Sequence, residues 1–244
     1  MSSYIRHTLF QILCTLFLAL LISCDDGSVT EKTIDVPDGR TARLTALVSG
    51  ADTWPKGYDL AFAGFSPDDD YASVVRLLRP AADGTVDVTL TNIPSEVTSL
   101  ELCIVNTLHQ RVSTYARLEG TALQTDDLIL LRAGDVDVGM YATLQTDFFD
   151  RRCISCHGGS SFAARGLYLT SGKSYGALVG VPSKRVEGQR LVEPGSPRSS
   201  VLYQVVTTDL TADWGQSHAD MLSPEKDSHL LTLLADWIRN GAKE

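Results

Sequence analysis

Residues 153–159 read CISCHGG. Two thiols followed at once by an imidazole admit three chemistries: a metal site, a redox dithiol or a covalently held haem. For haem attachment the thiols must reach the two vinyl groups of one porphyrin while the next imidazole reaches the iron. Two residues between Cys153 and Cys156, with His157 immediately following, meet that requirement at the start of a helix. Each rival lacks a part. A structural zinc site takes four ligands, commonly from a second paired motif. Outside this stretch Cys103 lies in the apolar run SLELCIV, and His218 and His229 are single. A thioredoxin-like dithiol sits near a βαβ pattern, which the flanks of Cys153 do not show.

The elements that must position these residues are helical on both sides. YATLQTDFFDRRC places Tyr141, Leu144 and Phe148 at steps of three and four, one apolar stripe leading into the motif. Near the C-terminus Ser223 can cap and Pro224 fits a first helical position. Leu230, Leu233, Leu234, Trp237 and Ile238 then recur on one face until Gly241 stops the helix. The roughly sixty residues between are rich in Gly, Pro and Ser, with only the short apolar runs GLYLTSGKSYGALVG and SSVLYQVV. A segment with so little regular structure between two good helices implies a cofactor at its centre.

The first half has a different pattern. TARLTALV alternates Ala42, Leu44, Ala46 and Val48 against Thr41, Arg43, Thr45 and Leu47, the mark of a half-buried strand. YDLAFAGF, ASVVRLLR, TVDVTLTNI, VTSLELCIV, RVSTYARL and DLILLRAGDVDVG continue the series, with turns such as PAADG at 80–84 between them. Such a run of short strands predicts a β-sandwich of immunoglobulin-like architecture over residues 33–139, without the Cys and Trp signature of antibody domains. The whole is then two domains: this all-β sandwich, and an all-α region over 140–244.

The N-terminus reads as an address. MSSYIRHTLFQILCTLFLALLISC has one basic residue, Arg6, an apolar run from Leu9 to Ile22, and a small residue before Cys24. That layout is a secretory signal over 1–23, and its apolar run is short for a spanning helix. An uncleaved anchor with an incidental Cys is the plainer alternative. Polar residues 24–32 fit a tether. If Cys14 leaves with the signal and Cys24 is modified, Cys103, Cys153 and Cys156 remain, an odd number that does not form a disulfide framework. Cys103 is expected to be a small buried hydrophobe.

Composition narrows the function. At 244 residues with 43% apolar and 21% charged, the chain has the balance of a globular protein. The net charge of -9 argues against a nucleic-acid partner, because no basic patch is present to meet phosphates. The acidity belongs to residues 25–139, with roughly nine basic against nineteen acidic residues. The DDD run at 68–70 has no EF-hand spacing after it and reads as a solvated loop.

The stretch LISC, Leu21 to Cys24, resembles the lipobox of bacterial lipoproteins, in which that Cys starts the mature chain and carries the lipid. Residues 140–244 resemble a class I cytochrome c domain. The likeness rests on CISCHGG, on VEPGSPRSSVLYQVV at 192–206, on HADMLSPE at 218–225 and on the closing LLADWIRNGAKE. It covers rather less than half the chain. It implies an all-α cytochrome c-like fold with one haem c, thioethers to Cys153 and Cys156, His157 as proximal iron ligand and Met221 as distal ligand. The family usually follows that Met with Pro, whereas here Leu222 and Ser223 come first. His218 competes for the position, Met140 lies at the start of the helix leading to the motif, and His229 is expected to be a surface or packing residue. Tyr203 and Trp237 fit the haem wall in the family pattern. Trp214 is a further candidate for haem contact, and Arg185 and Arg190 are candidates for the propionates.

Together these readings predict an exported, membrane-anchored lipoprotein of periplasm or cell surface that carries electrons to a redox protein partner. With both axial positions filled, iron has no site for substrate. Two alternatives stand beside it: a haem enzyme or sensor with an open iron site, and a binding lipoprotein whose β-domain takes a glycan or protein.

Overall fold

Strand β1 (Arg40–Ser49) buries Ala42, Leu44 and Val48 and turns Arg43 and Leu47 outward, because successive side chains of a strand point to opposite faces. Six more follow: β2 (Tyr58–Phe65), β3 (Ala72–Leu77), β4 (Thr85–Ile93), β5 (Ser99–Asn106), β6 (Arg111–Glu119) and β7 (Ile129–Asp137). This computed structural model describes residues 39–125, 127–209, 217–222 and 227–244. The predicted signal, the tether with Cys24, residues 33–38, Trp214, Ser223 and Pro224 lie outside the described residues.

The strands form two sheets, ordered β4-β1-β7 and β3-β2-β5-β6. Their facing sides share one core, in which Leu44, Leu90 and Leu131 meet Phe62, Leu102 and Ile104. The connectivity is not that of an immunoglobulin domain, where strands A, B, E and D form one sheet and C, F and G the other. Here β1 is central, antiparallel to β4 and parallel to β7. The last strand therefore closes on the first and delivers the chain at Val138, whose N–H donates to the Ser49 carbonyl at 2.9 Å.

The outer face of the larger sheet holds Ala61, Ala63, Phe65, Cys103 and Val105 in a second apolar cluster. Cys103 is fully buried there, and burial raises its thiol pKa, so it behaves as a small hydrophobe. Beside it Glu101 has no exposed surface. Its carboxylate accepts from Ser99 and Thr114 at 3.0 and 2.6 Å and pairs with Arg111 and Arg117 at 3.2 and 3.0 Å. A buried carboxylate is tolerated only with such partners.

After β7 the expectation of an all-α, cytochrome c-like second half is overturned. The protein is predominantly β, with seven strands in two sheets and short helices. Helix α1 (Met140–Leu144) runs into a π-helical segment, Gln145–Cys153, and then a single α turn, α2 (Ile154–His157). Then follow α3 (Ser174–Leu178), α4 (Val201–Thr207) and α5 (Ser228–Arg239). The Gly-, Pro- and Ser-rich stretch between α2 and α4 forms turns and isolated bridges, Val179 with Val192, Pro182 with Arg190 and Arg190 with Ser200. Those residues favour turns over helix interiors. Only α5 has the expected long amphipathic form. Leu230, Leu233, Leu234, Trp237 and Ile238 are all buried, and Gly241 follows its end at φ 96°.

The helical region has its own core, and Trp54 packs against both cores. Polar bonds sew them together. The Met140 N–H donates to Thr53 Oγ1 at 2.8 Å, Tyr58 Oη to Asp236 at 2.5 Å, and Ser113 Oγ to Asp147 at 2.7 Å. Contacts join Pro37–Glu244 into one compact unit.

Replacing Glu101 with Ala removes the acceptor that four side chains share. Because Arg111 and Arg117 both reach solvent, the loss is expected at the low end for a broken buried pair, about 3 kcal/mol. Urea unfolding of Glu101→Ala against the parent chain measures it, and an unchanged midpoint would show that the pairing contributes nothing.

Candidate functional site

The π-helical segment ends by presenting Cys153 and α2 presents Cys156 and His157, so the motif sits at the end of a helical run anchored on β7. Two glycines then reverse the chain. A Cβ on Gly158 would lie 2.6 Å from the Ile154 carbonyl oxygen, and one on Gly159 2.0 Å from that of Phe162. The demand is for space, and no other residue meets it. The reversal brings the Leu167 carbonyl to His157 Nδ1 at 2.9 Å, while the Leu169 N–H donates to the His157 carbonyl at 2.9 Å.

That contact fixes the chemistry of the imidazole. A neutral ring that donates from Nδ1 to a carbonyl carries its lone pair on Nε2, which is how a ligating His is held in one tautomer and orientation.

The returning loop is itself held by a buried polar chain. The Tyr141 hydroxyl meets Ser174 Oγ at 2.6 Å, Ser174 Oγ donates to Gln145 Oε1 at 2.5 Å, and Gln145 Nε2 donates to Asp150 at 2.6 Å and to the Leu169 carbonyl at 3.0 Å. A second tie comes from the final helix. Arg152, next to Cys153, donates to the buried carboxylate of Asp227 at 2.6 Å, immediately before α5.

Cys153, Cys156, His157, Met221 and His218 all line one cavity of about 740 Å³. This falls within the usual range of small-molecule and cofactor sites, about 300–1,000 Å³. Its wall is mainly apolar, with Phe148, Leu178, Val201 and Val205 among the lining side chains. Four cations, Arg152, Arg165, Lys184 and Arg185, also line it, and no Asp or Glu does so among the described residues. An apolar cavity that cations also line suits an apolar ligand that bears carboxylates.

Other expected residues fall elsewhere. Arg190 pairs with Glu193, and Tyr203 and Trp237 pack with the helical core without lining the cavity. Met140 is buried in that core, and His229 is exposed. Sequence reasoning missed Leu167, Gln145, Ser174, Arg152, Arg165 and Lys184. The first acts through its backbone carbonyl and leaves no side-chain signal.

His218 and His157 lie with ring centroids 6.4 Å apart and planes inclined by 31°. Burial, and then the charge of His157, lower the His218 pKa, favouring the neutral ring that a metal binds. Among the described residues no three His, Cys, Asp or Glu side chains converge as a metal-holding set. The Cys153 thiol pKa is pushed up to about 12 by burial, with the charges of Asp150 and Cys156 adding to it. A reactive dithiol needs the opposite, a lowered thiol pKa.

Compared with family models, with curated proteins and with solved structures, the chain matches none.

The difference between the two thiols is measurable in polypeptide of residues 25–244 made in a reducing cytosol. At pH 8 a thiol of pKa about 12 is ionised in roughly one molecule in ten thousand, whereas Cys156 is exposed. Iodoacetamide is expected to label Cys156 first and Cys153 at least about tenfold more slowly, read by mass spectrometry of the peptides. Equal rates would contradict the burial of Cys153.

Proposed function

We propose that this chain carries one covalent haem c in the cavity beside α2 and serves electron transfer. The observation that carries this is the state of His157. Its Nδ1 is committed to a backbone carbonyl, and the ring lines a cavity that both cysteine thiols also line. Cys153 and Cys156 would form the thioethers and His157 the proximal bond to iron. Bound haem supplies a one-electron Fe(III)/Fe(II) couple. The donor set and the cavity fit that group: two thiols with two residues between them in the chain, an oriented imidazole, apolar walls, and cations at Arg165, Lys184 and Arg185 for carboxylates.

The remaining work is done by the chain. Leu167 holds the imidazole tautomer and raises its basicity. Phe148, Leu178, Val201 and Val205 exclude water, lowering the local dielectric and so tuning the potential. The scaffold for this chemistry is the predominantly β unit described above, with irregular backbone around the cavity.

The address at residues 1–24 supports a lipoprotein anchored through Cys24, exported to the periplasm or the cell surface, with a redox protein as partner and no nucleic acid. No helix among the described residues is long and apolar enough to cross a membrane.

Expression in a host able to attach c-type haem, followed by acid-acetone extraction, tests the proposal. Colour is expected to stay with the protein, and in Cys153→Ser/Cys156→Ser to pass wholly into the solvent. His157→Ala is expected to keep covalent colour but to lose the low-spin spectrum. A colourless wild-type protein would end the haem reading.

A further inference from the structure

The cavity wall opposite His157 offers two side chains to the sixth coordination position. His218 and Met221 stand three residues apart around the 3₁₀ turn Ala219–Met221, and both line the cavity. Residues three apart on such a turn lie one above the other, so both present to the same side and differ in depth. Met221 keeps 39% of its surface in water, whereas His218 is half-buried.

The rings decide between them. Two imidazoles that bind one metal end-on, each nitrogen about 2 Å from it, have their centroids roughly 6 Å apart. His157 and His218 already stand at 6.4 Å, with planes inclined by 31°. The spacing of the pair is thus the one that a single metal ion held between two imidazole nitrogens would set. His157 contributes its Nε2 side, since Nδ1 is engaged by Leu167. On the other side, the backbone bonds from Met221 N–H to the His218 carbonyl and from Leu222 N–H to the Ala219 carbonyl, both 3.1 Å, hold the turn that carries His218.

We infer that His218, and not Met221, is the second axial ligand of the haem, making the iron site bis-histidine. This rests on the haem reading proposed above. Its consequence is a lower reduction potential than a His/Met site would give, because a methionine ligand raises the potential.

The test uses the full mature chain with haem attached, in oxidised and reduced visible spectra and in a potentiometric titration. The oxidised wild type is expected to be low-spin and to lack the weak sulfur-to-iron charge-transfer band at the near-infrared edge. Met221→Leu is expected to keep that low-spin spectrum. His218→Met, similar in volume, is expected to gain the sulfur band and to shift the midpoint potential upward. A wild-type sulfur band that disappears in Met221→Leu overturns the inference while leaving the haem reading intact, and so does a covalent haem that is high-spin. Protein with no covalent haem overturns both.

Discussion

Between α2 and α3 no helix or strand exceeds three residues, so the polar backbone there must find partners outside itself. Unpaired buried N–H and C=O groups are too costly to leave. The Gln145 amide meets one such demand, at the Leu169 carbonyl. It receives from Ser174 and donates to Asp150 and to the Leu169 carbonyl, while Leu169 in turn donates to the His157 carbonyl. The orientation of one imidazole thus depends on a primary amide twelve residues earlier, which is itself placed by Tyr141 at the head of the helical run.

How much of this was legible in the sequence follows from which interactions leave a side-chain signature. Alternation in TARLTALV or TVDVTLTNI marks strands directly, and the five apolar residues of α5 mark its buried face. Connectivity is another matter, since nothing in the alternation of β1 shows that its parallel neighbour is β7, the last strand of the sheets. The all-α expectation for residues 140–244 failed because two helical patterns at the ends were extended across a middle whose Gly, Pro and Ser content pointed elsewhere. The π-helical turns of Gln145–Cys153 bury Phe148 and Phe149, a spacing that an ordinary α-helix would also produce. At the site, CISCH identified three cavity residues and HADMLSPE two more. The acceptor on Leu167 is a backbone carbonyl, and the Gly158–Gly159 pair was the only sequence trace of the reversal that brings it there.

The two cores are joined at the level of single side chains. Trp54 touches both, and its Nε1 donates to the Val138 carbonyl at 2.6 Å, just before α1 begins. Tyr58 reaches across to Asp236 on α5, the helix whose start is tied through Asp227 to Arg152 beside Cys153. The sheets and the cavity are parts of one structural frame, so a partner gripping the β-sheets would meet the site at a fixed distance.

The half-buried state of Cys153 sets an order of events. Its sulfur lies 3.9 Å from the Phe148 carbonyl, and its proton is held far above the pH of any cellular compartment. Chemistry at that sulfur is slow once the walls have closed. Under the proposed haem reading, a thioether at Cys153 forms on the still open chain, and the loop that returns through Gly158 and Gly159 to His157 closes afterwards. On that reading the cavity is less a receptacle than a mould, set around the group it holds.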